Sequence, residues 1–181
     1  MTELALVLAA SRESGLADFE RLMRLYERLV LTTALRLLGN LPDAQDAAQE
    51  TFLRLYRNLS RIEDPDNCSA WLYRVTVNVC RDQLRRQAPT VAVEEAMELA
   101  ASGLDPQQAA ASTERREAME RALRRLTAKE REALVLKDLE GLSTAEVAAT
   151  VGSTEATVRS HVARARIKLR EAVARMSGRP G

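Results

Sequence analysis

The chain has 181 residues, of which 46% are apolar, 29% are charged and 3% are aromatic. Its apolar residues are mainly Ala, Leu and Val, and Gly and Pro are few, which favours helices and argues against a β-sandwich or a β-barrel. The net charge of +1 does not by itself indicate nucleic-acid binding, so such a function has to be argued from where the charges lie.

The N-terminal segment contains a short apolar run at 4–10. This run has no basic stretch before it and is too short for a signal peptide or a membrane span. We therefore expect a cytoplasmic protein that does not itself insert into a membrane.

Three helices are predicted in the first half of the chain. Apolar residues recur at helical spacing from Leu16 to Leu38, and Gly39 suits the position after a helix end. A second helix is predicted over 43–59 and a third over 69–86, with a turn-rich loop at 61–69 between them.

The second helix begins with acidic and amide side chains, and Asn40 or Asp43 can cap its start. Its polar first turns contain Asp43, Gln45, Asp46, Gln49 and Glu50. The residues predicted to face inward are Ala44, Ala47, Ala48, Phe52, Leu55 and Leu59. Acidic residues at this position are favoured by the helix dipole, and a protein-docking face is the alternative; periodicity does not decide between them.

The third helix combines aromatic and basic residues. Its predicted inward residues are Leu72, Val75, Thr76 and Val79, whereas Arg74, Asn78, Arg81 and Arg85 share another side. Aromatic rings beside arginines suit single-stranded nucleic acid, because bases stack on rings while arginines hold the backbone. In the alternative interpretation Trp71 and Tyr73 belong to the core, and loop residues such as Asn67 and Ser69 make the base contacts.

Residues 88–113 interrupt the helical pattern. They contain Pro89, Gly103 and Pro106, and their only charged side chains are acidic. This composition predicts a flexible linker, which is either a solvated tether or an acidic segment that mimics nucleic acid. The sequence thus predicts an all-α protein of two small helical domains, at 1–87 and 114–181, joined by that linker.

The second domain contains the strongest motif. Helices are predicted over 114–126 and 127–139, and a helix-turn-helix completes the domain. Thr127 and Ser143 each precede a glutamate by three residues, the capping-box pattern, and Gly152 suits a helix end. A second helix follows from Thr154, apolar on one side and basic on the other, as a DNA recognition helix requires.

The recognition helix has an apolar stripe and a basic surface. The stripe consists of Val158, Val162, Ala165, Leu169 and Val173. The predicted contacts with duplex DNA are Thr157, Arg159, Ser160, His161, Arg164 and Arg166. Residues in the first half of such a helix reach base edges, and arginines beside them hold phosphates.

Catalytic and cofactor motifs are missing from the sequence. It has no glycine-rich phosphate loop and no nucleophile motif, and its two cysteines and one histidine form no zinc-ligand set. We therefore expect no enzyme, cofactor, metal or small-molecule substrate. A stand-alone helix-turn-helix repressor, usually a dimer, and a helical protein that binds a regulator but not DNA remain alternatives.

Several segments together resemble a known family. These are DAQDAAQETF at 43–52, WLYR at 71–74 with Asn78 and RDQLRR at 81–86, the segment 126–139, and TVRSHVARAR at 157–166. They are similar, in order and spacing, to motifs of the bacterial extracytoplasmic-function (ECF) sigma factors, small sigma-70 relatives that keep only domains two and four. The resemblance covers residues 16–175.

The resemblance implies a promoter-specificity subunit of RNA polymerase. Its implied contacts with the polymerase β′ coiled coil are Asp43, Asp46, Gln49, Glu50 and Phe52. Its implied −10 contacts are Asn67, Ser69, Trp71, Arg74, Asn78, Arg81, Arg85 and Arg86, and the recognition helix would bind the −35 element. The β flap and promoter DNA are further implied partners. An anti-sigma factor is the implied regulator, and a membrane-bound one would hold the protein at the inner membrane.

The chain departs from the family pattern at several positions. Ala47 and Ala48 replace larger aliphatic residues in the docking helix, and His161 and Ala163 stand where larger side chains are usual. The loop before Trp71 is not a typical specificity loop. The base preferences of both elements therefore cannot be taken from the resemblance.

Overall fold

The structure, a computed structural model, describes residues 16–58, 68–87 and 121–176. The chain divides into two compact units, Met1–Val91 and Ala92–Gly181. Within the described ranges the regular elements are helices and no strand occurs, which confirms the all-α prediction. No helix in these ranges has the length and hydrophobicity needed to cross a bilayer. The predicted linker lies outside the described residues, and the domain bounds at 87 and 114 stay predictions.

Unit 1 contains three described helices, α1 (Leu16–Leu38), α2 (Leu41–Asn58) and α3 (Cys68–Gln87). The connection between α1 and α2 is two residues long because Gly39 adopts a left-handed φ of 81°. Asn40 then caps α2: its Oδ1 accepts the Asp43 backbone N–H at 2.9 Å, and its amide donates to the Asp43 carboxylate at 2.7 Å. The cap is therefore Asn40 rather than Asp43, and α2 begins two residues earlier than 43.

The core of unit 1 combines aromatic and aliphatic side chains from all three helices. Leu22, Val30, Leu55 and Leu72 are fully buried, and Trp71 is a partly buried residue packed against this cluster. Val75 is only half-buried, whereas Val77, which the sequence did not single out, is fully buried. Leu59 and the loop 61–67 lie outside the described residues.

Unit 2 contains a helical segment at 121–124, then α4 (Ala128–Leu134), a π-helical turn (Val135–Leu139), α5 (Thr144–Val151) and α6 (Glu155–Met176). Both capping boxes are present, and Gly152 ends α5 with a φ of 68°. The predicted helix over 127–139 is continuous, but its last five residues are π-helical rather than α-helical. There the Glu140 N–H donates to the Val135 carbonyl five residues back, at 2.9 Å, so the turn is wider than an α-helical one.

The core of unit 2 consists of aliphatic side chains. Val135, Leu136, Val147 and Val158 are almost completely buried. The predicted apolar stripe of α6 is confirmed at Val158, Val162 and Ala165, and Leu169 is half-buried. Val173 is 54% exposed, so its assignment to the stripe is wrong. Ala172, seven residues after Ala165 and thus two helical turns on, takes the inward position instead.

Candidate nucleic-acid interface

The start of α6 is a capped helix end with an exposed surface. The Thr157 backbone N–H donates to Thr154 Oγ1 at 3.2 Å, which fixes the first turn. Arg159, Ala163 and Arg164 are exposed, and Ser160 is half-buried. Apart from the acidic Glu155, the first three turns therefore present small and basic side chains to solvent, as a helix that enters a major groove requires.

Two of the predicted DNA contacts are oriented by neighbours one turn away on the same helix. Arg159 Nη1 donates to Glu155 Oε2 at 3.2 Å, and Arg164 Nη2 donates to Ser160 Oγ at 2.7 Å. Both contacts direct the arginine side chains along the exposed face of α6. Exposed pairs of this kind contribute little free energy, so both guanidinium groups stay available to DNA.

Arg166 has a different environment from the other predicted contacts. Its guanidinium donates to both carboxylate oxygens of Asp138, at 2.8 and 2.7 Å. This hydrogen bonding, together with the carboxylate charge, raises the pKa of Arg166 further above its usual value. Arg166 therefore ties α6 to the π-helical turn, a role that its sequence position did not indicate.

Glu130 makes a second link between α6 and the first helices of unit 2. Its Oε2 accepts Lys168 Nζ at 2.7 Å and the Thr127 backbone N–H at 3.0 Å, and the residue is 4% exposed. The hydrogen bond from Lys168 is the main reason that the pKa of Glu130 lies below its usual value. One buried carboxylate thus caps α4 and holds the recognition helix.

His161 and Thr157 complete the predicted set on α6. Thr157 is exposed, and its hydroxyl lies 2.8 Å from the Thr154 hydroxyl. His161 is half-buried, and its Nδ1 is buried without a hydrogen-bond partner among the described residues. A base contact from His161 would therefore use another edge of the ring.

The basic side of α3 is also exposed. Arg74, Asn78, Arg85 and Arg86 are exposed and Arg81 is half-buried, and Arg85 forms an ion pair with Asp82. Ser69 and Trp71 are half-buried at the start of the helix, and Asn67 lies outside the described residues. Trp71 thus packs against the core with a partly accessible ring, and its contact with bases stays a prediction.

The polar residues of α2 form a partly accessible face. Asp46 and Gln49 are exposed, and Asp43 and Glu50 are half-buried; Glu50 accepts Arg54 Nε at 2.7 Å. Phe52 is 6% exposed and packs in the core. Its burial confirms the inward position that helical spacing predicts, and its contact with the polymerase stays a prediction.

The two cysteines lie in unit 1, where both are buried and neither forms a disulfide. Burial raises the pKa of Cys68 to about 11, against a smaller lowering by its hydrogen bond with Tyr26. The Cys68 thiol is therefore protonated at neutral pH. No group of three or more metal-ligating side chains occurs among the residues that the structure describes.

Comparison with known families matches each unit to one region of a single class of protein. Residues 22–90 match the family "Sigma-70 region 2", and residues 116–169 match "Sigma-70, region 4". The two matches, in this order along the chain, place it among the sigma-70-type transcription initiation factors.

Individual relatives indicate which family of sigma-70-type factors this chain resembles. The ECF RNA polymerase sigma factor SigE of Mycolicibacterium smegmatis is 33% identical over 179 residues, which cover 97% of this chain and 69% of that protein. SigM of Mycobacterium tuberculosis is 34% identical over 165 residues, covering 90% and 81%. This chain belongs to the ECF family of RNA polymerase sigma factors, the subunits that direct core polymerase to promoters and initiate transcription.

Solved structures agree with this assignment. The sigma factor RpoE from Bartonella quintana, crystallised with the anti-sigma factor NepR, has a TM-score of 0.70 and 28% identity and covers 87% of this chain and 98% of its own. CnrH, in complex with the cytosolic domain of CnrY, has a TM-score of 0.65 and 26% identity, covering 93% and 95%.

Proposed function

We propose that the protein holds a promoter at two points while it is bound to core polymerase. In this proposal α2 docks on the β′ coiled coil, α3 captures the −10 element, and α6 binds the −35 element as duplex. Unit 2 also contacts the β flap. The protein acts as a binding subunit and not as an enzyme, and it works in the cytoplasm.

The exposed N-terminal face of α6 is the observation that carries the proposal. Arg159 and Arg164 stand on its first three turns, each hydrogen-bonded to a neighbour one turn away. An arginine in this part of a recognition helix is placed to donate to guanine O6 and N7 or to a phosphate. Arg166 is paired with Asp138. We therefore regard Arg166 as the weakest candidate among the proposed −35 contacts.

The −10 and docking residues are proposed on exposure and charge. Arg74, Asn78 and Arg86 lie exposed on α3 and suit the backbone of a separated strand. Taking a base out of the stack costs a few kcal/mol, so the partly accessible Trp71 ring and the basic residues beside it would have to repay that cost. On α2, exposed Asp46 and Gln49 are the proposed contacts with the coiled coil.

Regulation by an anti-sigma factor is the last part of the proposal. The similar sigma factor RpoE was crystallised with the anti-sigma factor NepR, and the similar protein CnrH was solved in complex with the cytosolic domain of CnrY. We propose that a protein of this kind masks the DNA-binding surfaces of the present chain. If it is membrane-bound, it holds the chain at the inner membrane until it is inactivated.

In vitro transcription with purified core polymerase and a promoter library tests the proposal. We expect start sites that appear only when the protein is added. Arg159→Glu and Arg164→Glu should each lower these transcripts by about tenfold or more, because the introduced carboxylate repels the DNA. Arg28→Glu, a charge reversal at an exposed position of α1 outside the predicted contacts, is the matched control.

Two results would overturn the proposal. One is a library without any start site that depends on the protein. The other is tight binding of duplex operators by a dimer of the protein without polymerase, which is the behaviour of a stand-alone repressor.

A further inference from the structure

Glu155 is an acidic residue on the surface proposed to face DNA. It is the first residue of α6, and the only acidic one in the first two turns of this helix. Its side chain is 52% exposed, that of Arg159 is 63% exposed, and Glu155 Oε2 lies 3.2 Å from Arg159 Nη1. Because phosphates repel a carboxylate, a contact with a base edge is the interaction through which Glu155 would favour DNA binding.

The major-groove edges of the bases limit what a carboxylate can bind. A carboxylate only accepts hydrogen bonds, and guanine and thymine present acceptors there. Adenine has the N6 amino donor, but its N7 acceptor lies beside that group and repels the second carboxylate oxygen. Cytosine presents the N4 amino donor and is therefore the base that a carboxylate prefers.

Arg159 supplies the complementary half of this contact. Arginine donates to O6 and N7 of guanine, the base that pairs with cytosine. The charged ends of Glu155 and Arg159 are 3.2 Å apart, which is close to the rise of about 3.4 Å between successive bases. If α6 enters the major groove as proposed, this spacing lets the two side chains contact a single G·C pair or two neighbouring pairs.

We propose that Glu155 is a specificity-determining residue that accepts a hydrogen bond from cytosine N4 within one base-pair step of the guanine bound by Arg159. The inference rests on the proposed function, because it requires that α6 binds the −35 element. It goes beyond that function because it names the base preferred at one position and the residue that accepts a hydrogen bond from it.

A purely structural role for Glu155 predicts a different result. An acidic residue in the first turn favours the helix dipole, and its ion pair orients Arg159. Loss of either effect would weaken binding to all sequences by a similar factor. Only a base contact changes which base is preferred at one position.

The experiment uses the full-length protein bound to core polymerase and a promoter library randomised across the upstream element. The wild type should select cytosine at one position, next to or paired with a selected guanine. Glu155→Gln should move the preference at that position from cytosine towards adenine by about tenfold, because an amide pairs with adenine N6 and N7. The preferences at the other positions should stay.

Glu171→Gln is the matched control, since it removes the same charge from an exposed position four turns further along α6. It should leave the base profile of the wild type unchanged. The wild type selects an upstream element if α6 binds DNA as proposed. If Glu155→Gln then leaves its base preferences unchanged, or weakens binding equally for all bases, this inference alone is overturned. A wild-type protein that selects no upstream element overturns the proposed role of α6 itself, and this inference with it.

Discussion

The two units position their basic helices by different means. All aromatic residues of the chain, two Phe, three Tyr and one Trp, precede residue 92 and so belong to unit 1. In unit 1 the helix α3 packs through fully buried Leu72 and Val77. In unit 2 the helix α6 packs on small aliphatic side chains and is also held by ion pairs with Glu130 and Asp138.

This difference has a physical reason. A core without aromatic rings buries less apolar area per residue, so polar links contribute a larger share of what fixes a helix in place. Apolar packing has no charge that salt could screen or that pH could titrate, whereas ion pairs respond to both. The two units should therefore respond differently to the same perturbations, and Trp71 fluorescence reports on unit 1 because the chain has no other Trp.

The largest expected effect is the loss of a core side chain in unit 1. Leu72 is fully buried between the three helices, so Leu72→Ala should lower the free energy of unfolding by ~2–5 kcal/mol at any salt concentration. Urea unfolding followed by Trp71 fluorescence measures this change. Leu53→Ala, the same substitution at a side chain that is 43% exposed, is the control. Equal small losses in both variants would contradict the apolar account of unit 1.

In unit 2 the largest polar effect should come from Glu130. Glu130→Gln removes the negative charge that pairs with Lys168, while the amide oxygen can still accept the Thr127 N–H. The loss should be ~1–3 kcal/mol, the cost of leaving a buried polar group poorly paired. Far-UV circular dichroism should show the loss while the Trp71 fluorescence transition stays in place. A shift of both transitions together would mean that the units do not unfold independently.

The same residue predicts a pH dependence. The pKa of Glu130 is lower in the folded protein than its usual value of 4.5, mainly because of the hydrogen bond from Lys168. Its stabilising effect is therefore complete above pH 4.5 and is lost as the pH falls through the lower pKa of the folded state. The difference between wild type and Glu130→Gln, followed by circular dichroism from pH 7 to pH 3, should shrink accordingly. A difference that stays constant over this range would exclude the ion pair as its source.

The parts of this structure that sequence could predict are those that depend on neighbours within one or two helical turns. Both capping boxes and the Gly152 helix end are read from three or four residues, and they are confirmed. The links of Glu130 to Lys168 and of Asp138 to Arg166 join residues far apart in the chain, so no local pattern indicates them. Arg166 consequently looked like a free DNA contact.

The π-helical turn shows a second limit of hydrophobic periodicity as a predictor of structure. A π-helical turn of five residues is too short to show a hydrophobic period of its own, so the change at Val135 leaves no sequence signal. Two expectations concern Phe52: the motif implies a docking contact, and helical spacing predicts an inward position. Its burial confirms the inward position. The contacts with polymerase and promoter depend on partners, so they stay predictions.

A smaller effect tests how apolar the core of unit 1 is. Thr33 is fully buried, and its hydroxyl has no hydrogen-bond partner among the described residues. Thr33→Val replaces that hydroxyl by a methyl group of similar size and should raise stability by ~1 kcal/mol. Thr76→Val is the matched control, because the buried Thr76 hydroxyl donates to the Leu72 carbonyl at 2.8 Å. An equal gain in both variants, measured by Trp71 fluorescence, would show that the missing partner is not the cause.

The smallest expected effect concerns the partly exposed pair of Asp138 and Arg166. A double-mutant cycle with Asp138→Ala and Arg166→Ala should give a coupling free energy of ~0.5–1 kcal/mol, because the pair is bidentate but open to solvent. Amide hydrogen exchange in α6 measures it locally.

The salt dependence of this coupling free energy tests whether unit 2 relies on ion pairs more than unit 1 does. At about 1 M salt the coupling should fall towards zero, since exposed ion pairs are screened, whereas the loss in Leu72→Ala stays the same. If the coupling free energy stays the same at high salt, the pair is not an exposed, screened ion pair. Unit 2 would then resemble unit 1 in how it holds its basic helix. If Arg166 instead contacts phosphate, Arg166→Ala lowers the salt dependence of promoter binding while Asp138→Ala does not. Equal salt slopes in the two variants would leave Arg166 with the helix-positioning role that its contacts indicate.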